Sequence, residues 1–289
     1  MQIKVKIGIV FLILIGIANF CLWQFILNYK QVSESIVEVN FFDVGEGDSI
    51  LIEMPNSNQI IIDGGLSQDV VSKIAKEMPF FDRKIEMIIL THPDKDHVTG
   101  LFEVFDVFEV EKVLMPEIKG KEEKKELYVN FKEAVREEGS KIIFAKQGQK
   151  ISFPGEVYFL IFWPAKDFFS SDINDFSIVG KLIFEETSFL FTGDISDKIE
   201  EKLILDNFLL KSDILKVAHH GSKYSTSDKF LAEIIPGVAV ISVGKNSYGH
   251  PTREVLERLE KYDIKTLRTD KNKDIKIISN GKNYGFSDF

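Results

Sequence analysis

The chain has 289 residues, 44% hydrophobic and 28% charged, a composition of ordinary globular proteins that excludes disorder as the default. Its single cysteine, Cys21, lies in an apolar run, which excludes a disulfide framework and a cysteine-based zinc site. A formal net charge of −9 argues against tight non-specific binding to nucleic acid, since that binding draws on clustered Lys and Arg. Any phosphate-bearing substrate must therefore be held locally.

Residues 7–29 contain no charged side chain. As a helix this run spans about 34 Å, enough for a hydrocarbon core of about 30 Å. Residues 1–30 are thus expected to be a single-pass membrane anchor. A cleaved signal peptide is the competing reading, but the run exceeds the usual apolar core of roughly 7–15 residues and lacks a clear small-x-small cleavage site. Ala18, Asn19 and Phe20 before Cys21 do not make a lipoprotein signal either. Lys4 and Lys6 precede the run, whereas Lys30 is followed by Glu34 and Glu38, which puts the N-terminus in the cytoplasm and residues 31–289 outside.

After Ser35, short β-branched and aromatic runs alternate with helical patterns. Strands are predicted at 36–43, 49–54, 60–63, 86–91, 113–115, 141–145, 157–163, 178–185 and 188–192, then at 214–218, 238–243, 265–267 and 274–278. Helical periodicity and start signals cover 68–77, 98–108, 122–138, 197–205, 228–235 and 252–262. Asn280-Gly281 between the last strand and 282–286 predicts a closing hairpin. The fold class is α/β, with two sheets packed together and covered by helices in one domain, residues 31–289. The charged segment 117–125 reads as a solvated loop and helix start.

Three apolar runs end in polar clusters. Met87-Ile88-Ile89-Leu90 leads into Thr91-His92-Pro93-Asp94-Lys95-Asp96-His97, four potential metal ligands within six residues. Asp94 and Asp96 repel one another when ionised in a partly buried loop unless a cation or buried donors neutralise them. Pro93 keeps a helix from running through the loop, so its side chains are expected to converge on one point. Phe189-Leu190-Phe191-Thr192-Gly193 delivers Asp194, and Ile214-Leu215-Lys216-Val217-Ala218 delivers His219 and His220. Adjacent histidines point to different sides, so only one of that pair is expected to be a ligand. The glycine turn Asp43-Val44-Gly45-Glu46-Gly47-Asp48 and the strand end Asp63-Gly64-Gly65 offer Asp43, Asp48 and Asp63 as carboxylates that brace the metal loop through hydrogen bonds.

Taken in order, Asp-Val-Gly-x-Gly-Asp at 43–48, Asp-Gly-Gly at 63–65, His-x-x-x-Asp-His at 92–97, Thr-Gly-Asp at 192–194, His-His-Gly-Ser at 219–222 and Tyr-Gly-His-Pro at 248–251 are similar to a known family. The chain resembles the metallo-β-lactamase-like domain of the competence DNA-internalisation proteins from Ile36 to its end. The resemblance implies the four-layer αββα metallo-β-lactamase sandwich with its site at one edge. By position it implies one metal site lined by His92, Asp94 and Asp194, and another lined by Asp96, His97, Asp194 and His219, with Asp194 bridging. It also offers His220, Ser222, Asn246 and His250 for binding or protonating the substrate, while His250 before Pro251 reads equally as a helix-start residue. Departures from the pattern are Asp94 where a second histidine is usual, no histidine between His97 and His219, and Glu46 in place of glutamine. The polytopic channel of those proteins has no counterpart here, and a DNA-translocating role is not expected of this chain.

The resemblance implies a metal-dependent hydrolase, with Asp96, His220 and His250 as its catalytic residues and one or two divalent ions as cofactor. A phosphodiester or nucleic acid outside the cytoplasmic membrane is the leading substrate, attacked by a metal-bound hydroxide. Hydrolysis of an ester, lactone or lactam is the alternative, since fold does not settle substrate. An anchored, non-catalytic interaction protein is the third reading. Manganese is favoured over zinc or magnesium, because Asp94, Asp96 and Asp194 make the ligand set rich in oxygen.

Overall fold

A strand whose neighbouring residues are all apolar has to be covered on both faces. The computed structural model, which describes residues 13–24 and 36–287, meets that demand with two stacked sheets and helices outside each. Of the apolar run 7–29, residues 13–24 form helix α1; the remainder of the expected anchor lies outside the described residues. Among the described residues no helix is long and apolar enough to cross a membrane.

The first sheet holds β1 (Val37–Phe41), β2 (Ser49–Met54), β3 (Asn58–Gly64), β5 (Met87–Ile89), β7 (Lys112–Met115), β8 (Lys141–Phe144), β16 (Ile275–Ser279) and β17 (Tyr284–Phe286). Its spatial order is β17-β16-β1-β2-β3-β5-β7-β8. The second runs β15-β14-β13-β12-β11-β10-β9 and comprises β9 (Lys150–Phe153), β10 (Val157–Trp163), β11 (Val179–Phe184), β12 (Thr187–Phe191), β13 (Ile214–Lys216), β14 (Val238–Ile241) and β15 (Lys265–Arg268). A separate pair joins β4 (Lys84–Ile85) to β6 (Glu109–Val110).

Alternation along each strand sorts the core into layers. Ile50, Ile52 and Met54 of β2 meet Phe189 and Phe191 of β12 between the sheets. Leu51 turns outward to the layer filled by α2 (Asp69–Glu77), α3 (Lys95–Val107) and α4 (Glu126–Glu138). Leu190, Leu215 and Ala239 turn outward on the other side, toward α5 (Asp197–Leu205), α6 (Asp228–Ile234) and α7 (Arg253–Lys261). The order is helix, sheet, sheet, helix, as the sequence predicts. A short α8 (Thr269–Asn272) follows β15.

Several local expectations change. β4, β6, β9 and α8 were not predicted: all are at most four residues long, too short to establish a period, and β9 is in addition a half-exposed edge strand. Residues 122–138 split into a 3₁₀ turn, Glu122–Lys124, and α4. The important correction concerns Pro93, which precedes a helix instead of excluding one. Asp94 is the N-cap of α3, and Asp96 and His97 occupy its first turn.

Candidate metal centre

Two glycine contacts bring the start of α3 against the first sheet. A β-carbon on Gly100 would stand 2.0 Å from the Gly64 carbonyl oxygen, so the helix can lie on β3 only if that residue has no side chain. Gly47, at φ +101°, has its would-be β-carbon 1.7 Å from the Asp96 backbone oxygen. Beneath this contact the fully buried Asp63 accepts hydrogen bonds from Thr91 N at 2.8 Å and Thr91 Oγ1 at 2.6 Å, and faces His97 Nδ1 at 2.8 Å. Thr91 spends its one hydroxyl hydrogen on Asp63, so the His92 Nδ1, 3.0 Å from the same oxygen, donates to it. Both imidazoles are thereby turned with Nε2 toward one point.

The second sheet supplies the opposite side. Asp194 follows β12 and donates its backbone N–H to Ser177 Oγ at 3.0 Å. After β13 the chain turns through three left-handed residues, His219 (φ 50°), His220 (φ 52°) and Gly221 (φ 83°). That turn swings His220 inward, where Nδ1 donates to the Ser242 carbonyl at 2.8 Å. Its Nε2 lies 3.2 Å from Asp194 Oδ2 and 3.4 Å from Asp96 Oδ2. His97 Nε2 stands 3.4 Å from the same Asp194 oxygen and 3.8 Å from Asp96 Oδ2.

These residues fit a divalent cation. His92 Nε2, His97 Nε2, His220 Nε2 and Asp194 Oδ1 are all buried without a hydrogen-bond partner, an arrangement that burial penalises unless something else binds there. The trios His92–His97–Asp194 and Asp96–His97–His220 each keep their ligand atoms within 4.8 Å of one another. Ligands about 2.0–2.2 Å from a tetrahedral ion lie about 3.4 Å apart, the spacing seen here. The electrostatics agree. Burial opposes charge on His97, yet Asp194 and Asp63 hold its pKa well above the ordinary value. Burial likewise opposes charge on His220, but Asp194 and Asp48 push its pKa up to about 10. Against its own burial, Asp194 is held well below the carboxylate range by His220 and His97. His92, penalised by burial and repelled by His97, is held neutral. Without an ion, protons on two imidazoles supply the positive charge that the carboxylates demand.

The centre forms the floor of an open cavity of about 440 Å³, with Asp94, Glu46, Asn174, His219, Tyr248 and His250 around it. The structure brings together His92, Asp96, His97, Asp194 and His220, and places other expected residues differently. His219 is not among the converging side chains: it lines the cavity, its ring 6.3 Å from that of His220, because the left-handed turn and not strand alternation sets the direction. His220 accordingly sits on the floor, not where it protonates a leaving group. Asp94 is at the lip, 41% exposed and 3.9 Å from His92 Nε2. Burial raises its pKa, with Asp96 adding repulsion and His97 opposing.

Ser222 is buried, receives a hydrogen bond from Tyr224 N at 3.4 Å and does not line the cavity. Asn246 lines the cavity but spends its side chain on its own loop: Nδ2 donates to Gly244 O and His250 O, while Oδ1 accepts from Tyr248 N and His250 N. It shapes the mouth and does not reach into it. Asp43 braces the C-terminal strand region, through Lys273 and through Asp274, which its backbone N–H meets, and makes no contact with the centre. Asp48 and Asp63 do lie behind the ligands. His250 is at the mouth, its ring 5.6 Å from that of His219, and burial with repulsion from His219 and His220 lowers its pKa.

Sequence reasoning passed over Lys216, Thr91, Ser177 and Ser242. A lysine inside the apolar run 214–218 was a readable signal for the first; the others act through a hydroxyl or carbonyl that no pattern distinguishes.

Comparison with known proteins agrees with this geometry. The sequence pattern of the Metallo-beta-lactamase superfamily matches residues 42–245. ComE operon protein 3 of Bacillus subtilis is 31% identical over 270 residues, which cover 87% of this chain and 34% of that protein. Recombination protein 2 of Haemophilus influenzae is 33% identical over 242 residues, covering 82% and 28% respectively. The chain thus spans about a third of the length of these relatives. Among solved structures, Tm1679, a metal-dependent hydrolase of the beta-lactamase superfamily, superposes with a TM-score of 0.53 at 14% identity, over 82% of this chain and 98% of the other, a likeness of fold alone. Competence protein ComA of Neisseria gonorrhoeae is 28% identical over 251 residues, covering 83% of this chain and 32% of that protein. Because the family pattern runs from before Asp48 to beyond His220 and so contains every residue of the centre, the chain belongs to the metallo-β-lactamase superfamily.

Proposed function

We propose that this chain is a divalent-metal-dependent phosphodiesterase acting on nucleic acid, and that residues 7–29 anchor it with the catalytic part outside the cytoplasmic membrane. One observation carries the hydrolase reading: three buried, unpartnered imidazole nitrogens converge with the Asp194 carboxylate at an open cavity. His92, His97, His220, Asp96 and Asp194 would hold the ion. A divalent cation there supplies a Lewis acid for a phosphoryl oxygen and acidifies water at neutral pH.

The chain's own groups do the rest. Asp63 and Ser242 orient His97 and His220 from behind, so the floor is set before substrate arrives. His219 and His250, which line the mouth, would hydrogen-bond phosphate oxygens, His250 as a neutral imidazole. Neither a serine nor a cysteine nucleophile is needed. Manganese is the proposed ion, since Asp96 and Asp194, with Asp94 at the lip, give the site oxygen donors and open positions.

The name of one relative, a recombination protein, favours nucleic acid among phosphodiesters. The anchor is supported by the uncharged run and by the exposure of Ile13, Leu14, Ile17, Phe20, Leu22 and Trp23 on α1. The test is turnover by the purified chain, chelated and reconstituted with Mn²⁺, Mg²⁺ or Zn²⁺, on DNA, RNA and an ester chromogen. Turnover of the ester alone removes the phosphodiesterase reading; faster DNA or RNA cleavage with Zn²⁺ than with Mn²⁺ removes the choice of ion. Protease digestion of spheroplasts tests the anchor, and full protection of the catalytic part reverses the orientation.

A further inference from the structure

Lys216 ends β13, an otherwise apolar strand, and is 1% exposed. Ile214 faces the core between the sheets, so Lys216, two residues on, points to the same side, under the metal centre. Its ammonium is ion-paired with Asp48 and lies 3.8 Å from Asp194 Oδ1. Asp48 in turn stands 3.5 Å from His220 Nδ1 and 3.9 Å from His97 Nδ1. The lysine thereby reaches both sides of the centre, directly or through one carboxylate.

Charge balance gives it a purpose. Asp48, Asp63 and Asp194 are at most 3% exposed, and buried charges must be matched. One ammonium and one divalent ion match three carboxylates. Asp94 and Asp96 lie nearer solvent, at 41% and 27% side-chain exposure, where water shares the task.

We propose that Lys216 is a positioning residue, a permanent internal cation that acts through Asp48 and Asp194 to match the floor to a single divalent ion and to limit how tightly that ion is held. This rests on the reading of the centre as a metal site. Removing the ammonium makes the floor one charge more negative, so the ion binds tighter while the ion-free chain loses stability. A lysine that merely fills space predicts neither change.

The experiment is calorimetric titration of the full chain with Mn²⁺, together with melting in Mn²⁺ and in chelator, for the parent, Lys216→Gln, Lys216→Arg, Asp48→Asn and the double variant Asp48→Asn/Lys216→Gln. Lys216→Gln is expected to bind Mn²⁺ about tenfold tighter and to lose far more melting temperature in chelator than in Mn²⁺. Lys216→Arg keeps the parent affinity, Asp48→Asn weakens it about tenfold as the ammonium turns to Asp194, and the charge-balanced double variant returns to within about threefold of the parent. Unchanged affinity in Lys216→Gln, or equal losses of melting temperature with and without ion, overturns the inference and leaves the metal reading standing. A folded parent chain that takes up no Mn²⁺ overturns both. If Lys216→Gln does not fold even with Mn²⁺, the double variant decides: parent-like affinity supports the charge account, and a departure of more than about tenfold overturns it.

Discussion

Lys216 and Lys276 each stand among three carboxylates, yet the two clusters have different chemistry. Lys276 pairs with Glu38 at 2.8 Å and Glu77 at 2.6 Å, and Glu53 lies opposite Glu38 across the β1–β2 ladder. Every oxygen there is paired or reaches water, and no imidazole takes part. Around Lys216 the carboxylates Asp48, Asp63 and Asp194 are buried with three histidines, and imidazole nitrogens and carboxylate oxygens are left without hydrogen-bond partners. Crowded acids alone therefore do not mark a cation site. What marks it is a set of orphaned donor atoms held toward one point by hydrogen bonds from behind.

The largest expected effects test that distinction directly. His97→Ala, Asp96→Ala and His220→Ala should each lower phosphodiester hydrolysis by at least about a hundredfold with the fold intact by circular dichroism, because each removes a converging atom. His219→Ala, which removes none, should cost less than about tenfold. The reverse order for the two adjacent histidines would mean that the left-handed turn does not set the ligand. Next in size, Asp63→Asn should weaken Mn²⁺ binding by about 10–100-fold in a chelator competition, since it removes the acceptor that turns His97. An unchanged affinity would show that hydrogen bonds from behind contribute nothing at this centre.

The two clusters should also respond to pH in opposite senses. In the ion-free chain His97 and His220 carry protons, His220 to about pH 10, and the ion must displace them. Mn²⁺ affinity should therefore rise steadily with pH across the neutral range, with proton release visible in buffers of different ionisation enthalpy. Glu53 behaves differently. Burial, with Glu38 and Glu77 adding repulsion against the pull of Lys276, raises its pKa from 4.5 to about 7. A carboxyl whose pKa is raised on folding contributes stability below the unfolded value, and that contribution is lost as pH climbs from 4.5 through about 7. Glu53→Gln should leave stability near pH 4 unchanged and gain at most about 3 kcal/mol at pH 8, less with solvent screening, read by denaturant melts. Equal effects at both pH values would show that Glu53 does not titrate in this window.

Much of this molecule is legible residue by residue. The predicted strand at 49–54 coincides with β2, that at 157–163 with β10, and the helix at 197–205 with α5, because continuous apolar runs and a 3.6-residue period are local properties. The gathering of His92, Asp94, Asp96 and His97 at the end of an apolar run is local too. Pro93 was misread because a proline before an N-cap and a proline that breaks a helix look alike until the helix beyond is placed.

The sequence by itself determined the two-faced strands, hence two sheets with helices outside, and the order in which candidate ligands reach the strand ends. Tertiary structure alone decided between His219 and His220, because consecutive left-handed residues abandon the alternation from which side-chain direction is read. It alone committed Asn246 to its own loop and turned Lys216 beneath the ligands, since hydrogen bonding and charge matching depend on which groups meet across the two sheets, and those partners lie far apart along the chain.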